Sequence, residues 1–216
     1  MRKYIIALFV ATLPTILQAQ SVGLFGRKAP QNSKSDLAIY TVKGAISETE
    51  GKVVFKDIIL APGKTKADIF AKLAQWSSFR FDANATMGEY QDTNFFKNLE
   101  VARVLNADKQ TGKIDCQGAE ELIFSIKPLA KNYTQIFYLL HLTAFDGKVE
   151  FEANTISFNV DQGGGVFTRV SAEDWITDTE CLNKRGELRR IPGKFRVKTI
   201  DLMAELKNEI TNTINQ

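Results

Sequence analysis

Seven cations crowd into residues 184–198: Lys184, Arg185, Arg189, Arg190, Lys194, Arg196 and Lys198, offset only by Glu187. In Lys194-Phe195-Arg196-Val197-Lys198 the charges alternate with apolar residues, so an extended segment would present them on a single face. Such a strip suits an anionic polymer, an acidic glycan or another anionic component of the cell envelope, drawn in by long-range attraction. The plainer reading is a charged sheet edge that deters edge-to-edge pairing. Acids at Glu173, Asp174, Asp178 and Glu180, folding back against the strip, favour that second reading.

The other reactive residue types form no recognisable constellation. Pro62-Gly63-Lys64-Thr65 has the setting of a phosphate-binding loop, but Ile58 stands where its first glycine must be. The turn therefore reads as a strand-to-helix cap. His141, the single histidine, lacks the partner that a catalytic base needs and the further ligands that zinc needs. It reads as a sheet histidine satisfied by a neighbouring hydrogen bond. Glu120-Glu121 and Glu173-Asp174 are adjacent carboxylates, which on a strand point to opposite faces. No catalytic, cofactor-binding or metal-ligating residue is assigned, and no cofactor is implied.

The elements that must carry these residues begin with an export signal. Met1-Arg2-Lys3, the apolar run Tyr4–Leu17 and Ala19 have the pattern of a secretory signal peptide over residues 1–19. The run is too short to span a bilayer, so no transmembrane span is expected once it is removed. Its removal deletes Arg2 and Lys3 and lowers the formal charge from +3 to +1. A nearly neutral protein that is exported, periplasmic or extracellular, is ill-suited to nucleic acid. Cys116 and Cys181 could pair in that compartment, although two separate half-buried thiols is the preferred reading. Residues 20–36 are small and polar and read as a flexible lead-in. Residues 37–216 show no linker and no repeat, and read as one domain.

Within that domain a strand over residues 52–60 is apolar on both phases, which implies burial on two sides or a central place in the sheet. Thr65, with Asp68 three residues on, caps a helix whose stripe is Ile69, Phe70, Leu73 and Trp76. Residues 79–98 resist placement. Then the period becomes two: 99–107 and 113–126 flank a polar turn, and 134–145 and 148–160 flank Asp146-Gly147, a strong hairpin signal. A phase change in the last strand calls for a bulge near Asn154. Gly163-Gly164-Gly165 turns the chain into residues 166–170. The chain ends in a helix with Met203, Leu206, Ile210 and Ile214 on one stripe. The pattern is α+β: a curved antiparallel sheet with helices on one face, in the order β-α-β-β-β-β-α.

Several phrases carry a resemblance across most of residues 50–210. They are Lys52-Val53-Val54-Phe55 leading to Trp76, residues 106–114 with Cys116-Gln117-Gly118, residues 172–177 and residues 193–202. In these the chain resembles an uncharacterised family of exported Bacteroidota proteins with a TATA-binding-protein-like fold. The resemblance implies that fold and export, and brings no activity, ligand or site residue. A fold name does not confer DNA binding. The expectation is therefore a non-enzymatic exported binding or interaction module. The alternative is a carrier that grips a small apolar ligand between helix and sheet.

Overall fold

The structure, a computed structural model, describes residues 37–82, 101–127, 130–162 and 166–216. The expected signal peptide, the lead-in, the glycine turn and most of 79–98 lie outside the described residues. The chain opens with α1 (Ala38–Thr41) and the small ribbon of β1 (Glu48–Thr49) and β2 (Lys52–Val53). β3 (Phe55–Leu60) and α2 (Lys66–Arg80) follow. Next come β4 (Arg103–Asp108), β5 (Lys113–Lys127), β6 (Ala130–Phe145), β7 (Lys148–Asp161) and β8 (Phe167–Ser171). The chain closes with α3 (Asp178–Cys181) and α4 (Pro192–Asn215).

The main sheet is antiparallel throughout, in the order β3-β7-β6-β5-β4. β8 continues the β3 side of β7, pairing with Ser157–Asp161 where β3 has ended. One face of the sheet presents Ile114, Leu140, Leu142, Phe151 and Phe158, all within 2% of full burial. α2 and α4 cover that face with Ile69, Leu73, Met203, Leu206, Ile210 and Ile214. Neither helix would persist alone in water, so this shared apolar contact is what stabilises both. Among the described residues no helix is long and apolar enough to cross a membrane.

Local signals act as the residue types require. Asp146-Gly147 turns β6 into β7 with Gly147 at φ 76°. From Asn154 to Ser157 β7 faces only Leu139 to Phe137, so the bulge expected near Asn154 is present, with Thr155 at φ 52°. Thr65 caps α2: its side chain accepts from Asp68 N at 3.2 Å and donates to Asp68 Oδ2 at 2.8 Å. Thr65→Ala is expected to cost about 1 kcal/mol of stability, read as a shift in urea midpoint at unchanged slope.

The structure departs from the sequence pattern in three places. The apolar strand at 52–60 is neither central nor buried on two sides. It breaks at Val54, and β3 lies at a sheet edge with Ile58 55% and Leu60 65% exposed. Among the described residues the helices cover one face only, so its second apolar phase is exposed. The edge is tied down instead by α4, through Lys207 on Asp57 at 2.8 Å and Asn215 Nδ2 on Leu60 O at 3.2 Å. A fifth strand, β8, follows α2 where four were expected. Residues 194–198 are the opening turns of α4 and not an extended strip.

Candidate functional site: the basic end of the last helix

Cys181 and Leu182 lead into a tight reversal. Asn183 Oδ1 accepts the amides of Arg185 (2.8 Å) and Glu187 (3.0 Å), and Gly186 adopts φ 75°, where a side chain would be strained. Lys184 and Arg185 stand at the tip. Leu182 pairs with Leu188 across the reversal, and Arg189 N donates to Cys181 O at 2.7 Å. Leu188 then packs on Gly193, where an added Cβ would lie 2.9 Å from the Leu188 Cβ. Pro192 at the first helical position starts α4 with its φ already helical and no amide to leave unpaired.

This arrangement separates the seven predicted cations into two kinds. Lys184, Arg185, Arg189, Arg190 and Lys194 are exposed, and Lys198 is half-buried. Among the described residues none of these six takes part in an ion pair. Arg196 is different: it is 0% exposed. Its Nε donates to Tyr40 O at 2.7 Å, Nη1 to Ile176 O at 3.0 Å and Nη2 to Val42 O at 3.5 Å. Nη2 also meets Asp178 Oδ1 at 2.7 Å. Arg196 is thus withdrawn from the strip, because in a helix two residues carry it about 200° round the axis from Lys194, off the solvent face and onto the core.

Three of the four acids expected to neutralise the strip hydrogen-bond or pair elsewhere. Asp178 serves Arg196 and accepts Gly44 N at 2.8 Å. Glu173 accepts Val53 N at 3.0 Å, and Asp174 accepts the Ser171 hydroxyl at 2.8 Å. Glu187 accepts from Asn183 Nδ2 at 2.9 Å. What remains is a cationic corner whose exposed charges make no ion pair among the described residues, reinforced by the positive end of the α4 dipole.

The other candidate residues have structural partners. The amide of Lys66, at the start of α2, donates to Asp146 Oδ1 at 2.7 Å. A carboxylate of the chain itself therefore occupies the place where a phosphate-binding loop would hold its anion. His141 Nδ1 lies 2.6 Å from Asp115 Oδ1 within a polar row across the uncovered sheet face, running Asn106, Asp115, His141, Glu152, Lys56 in register. In that row burial raises the Glu152 carboxyl, but hydrogen bonds from Asn154 and Lys56 outweigh it and hold it below its ordinary value. Glu120 and Glu121 point to opposite faces as expected: Glu121 meets Lys131 on the uncovered face. Cys116 and Cys181 are free and fully buried, and burial pushes each thiol up to about 12, so neither is a nucleophile at neutral pH.

Sequence reasoning missed one cluster. Arg80 Nη2 meets Glu120 Oε2 at 2.7 Å and its Nε meets Glu209 Oε2 at 3.1 Å. Tyr138 donates to Glu120 Oε1 at 2.5 Å, and Trp76 Nε1 donates to Glu209 at 3.3 Å. Burial would depress Arg80, but the Glu120 carboxylate outweighs it and raises the guanidinium above its ordinary value. The Tyr138 hydroxyl is raised too, by burial first and then by Glu120. Two carboxylates do converge here, with their counter-ion between them, and the result joins α2, β5, β6 and α4. Their positions, 80, 120, 138 and 209, are too far apart in sequence for spacing to reveal them.

Comparison with known proteins agrees with this architecture. Residues 55–159 match the family described as a domain of unknown function (DUF4468) with TBP-like fold. The chain is similar to a solved DUF4468 family protein from Bacteroides ovatus, at 28% identity and TM-score 0.68, over 84% of this chain and 96% of that one. It is also similar to a solved TBP-like protein from Parabacteroides distasonis, at 21% identity and TM-score 0.61, over 78% of this chain and 96% of that one. No curated protein matches.

Proposed function

We propose that this chain, a member of the DUF4468 family with its TBP-like fold, is a non-enzymatic binding module that works outside the cytoplasm on an anionic component of the cell envelope. The observation that carries the reading is the cationic corner: Lys184, Arg185, Arg189, Arg190 and Lys194 are exposed and unpaired among the described residues, while Asp178, Glu173, Asp174 and Glu187 bond other partners. Export rests on the signal-peptide pattern of residues 1–19. The family itself brings no activity. The alternative, a carrier for a small apolar molecule, has no comparable observation behind it, since the residues facing one another across helix and sheet are packed side chains.

Retention on a soluble polyanion such as dextran sulfate tests the reading at two ionic strengths. Binding should weaken steeply with salt, because exposed charges are screened beyond about 10 Å at 0.1 M. Arg189→Ala combined with Arg190→Ala should weaken it about tenfold, whereas Lys56→Ala, which removes a cation already paired with Glu152, should leave it unchanged. Binding that ignores both salt and the arginine pair would refute the assignment.

A further inference from the structure

β3 is an edge at which the main sheet is open to a further strand. Among the described residues it pairs with β7 on one side and with no strand on the other. In an antiparallel pair, alternate residues turn their backbone groups toward the partner and away from it. Ala61, just past β3, donates its amide to Gly147 O at 2.8 Å. By alternation Asp57 and Ile59 also face β7, while Ile58 and Leu60 turn their amides and carbonyls outward. Outward groups on an edge strand recruit strands from other chains.

Two of these outward groups are held by side chains of the same chain. Asp57 Oδ1 accepts the Ile58 amide at 2.8 Å, and Asn215 Nδ2 donates to Leu60 O at 3.2 Å. Lys207 donates to Asp57 Oδ2 at 2.8 Å and holds that carboxyl below its ordinary value, so it remains an acceptor at neutral pH. Lys207 and Asn215 belong to α4, whose buried Leu206, Ile210 and Ile214 fix the helix on the sheet. The strand best suited to the edge is β3 of a second copy. Two identical edges pair antiparallel about a twofold axis. With Ile58 on that axis, Lys56 would stand opposite Leu60 and Asp57 opposite Ile59, so no like charges meet. Ile58 and Leu60, 55% and 65% exposed, share a face at a spacing of two, and the pairing would gather those of both copies into one apolar patch. We infer that the β3 edge is a self-pairing surface kept closed by Asp57, Lys207 and Asn215, and that opening it gives an edge-to-edge dimer. This surface is separate from the basic corner, and the inference does not depend on the anion-binding reading.

Sedimentation velocity of the purified chain over a range of concentrations tests it. Asp57→Ala with Asn215→Ala should reach twice the mass of the unaltered chain as concentration rises. Adding Ile58→Lys to that pair sets two cations face to face on the twofold axis and should return the mass to that of the unaltered chain. All three side chains are exposed, so circular dichroism should show the variants folded. A folded double variant with the mass of the unaltered chain at every concentration would overturn the inference. So would association that Ile58→Lys leaves intact, since the contact would then lie elsewhere. An unaltered chain whose mass falls on Ile58→Lys alone would show the edge already open, with the same consequence.

Discussion

Arg196→Ala is expected to destabilise the protein by about 3–5 kcal/mol, the usual cost of removing one partner from a buried ion pair. Three carbonyls, of Tyr40, Val42 and Ile176, would lose their donor at once, and the Asp178 carboxylate would be left without its counter-ion. The four partners come from α1, the segment after it, the approach to α3 and α3 itself, so the loss would loosen several elements from α4 together. Domains of this kind are stable by only about 5–15 kcal/mol in total, so the urea midpoint should fall far. Arg196→Lys keeps a charge for Asp178 but lacks the planar fork that reaches three carbonyls, and should recover only part of the loss. Asp178→Asn provides a milder variant that retains an acceptor for Gly44 N and still strands the guanidinium. Lys194→Ala, two positions away on the exposed side, should change stability by no more than about 0.5 kcal/mol. A loss below about 1 kcal/mol for Arg196→Ala would show that the staple carries little of the fold.

Arg196 also shows where sequence reading stops. The pattern Lys194-Phe195-Arg196-Val197-Lys198 alternates, and alternation is the signature of a strand. Arg196 lies in register with Thr199, Met203, Leu206 and Ile210, at spacings of three and four. Read as the first turns of that helix, Arg196 falls on its buried stripe. Pro192 supplied the boundary signal, but charge density drew the eye to a face the backbone does not form. Turns were more legible: Asp146-Gly147, Thr65 with Asp68, and the bulge beside Asn154 depend on a few adjacent residues, whose chemistry is complete in the local string. Edges were not legible. Ile58 and Leu60 look like core residues until one knows that, among the described residues, the helices pack on the other face of β3. The partners of Glu173, Asp174 and Asp178 were hidden for the same reason, since proximity in sequence says nothing about which amide, hydroxyl or guanidinium each one turns toward.

Gly118→Ala should be the most damaging single-methyl change in the sheet. An added Cβ would lie 2.1 Å from Tyr138 Cζ and 2.3 and 2.5 Å from the two Cε atoms, well inside van der Waals contact. The ring lies across the glycine from the directly opposite position on β6, an aromatic covering a gap in its neighbour strand. It cannot simply swing away. Its hydroxyl is held on Glu120 at 2.5 Å, Glu120 is held by Arg80 at 2.7 Å, and the ring's edge packs against Phe81 with centroids 6.4 Å apart. Relief of the clash must therefore displace the ring and break the buried hydrogen bond, so overpacking and an unsatisfied carboxylate combine to a loss of about 3 kcal/mol or more. Tyr138→Phe removes the hydroxyl alone, keeps the ring, and should cost about 1–3 kcal/mol by leaving Glu120 one donor short. The decisive measurement is the double-mutant cycle. In a Tyr138→Ala background the space above residue 118 is open, so Gly118→Ala should become nearly harmless and the two changes should be strongly non-additive. Agreement with simple addition to within about 0.5 kcal/mol would mean that the glycine serves backbone freedom and not the tyrosine.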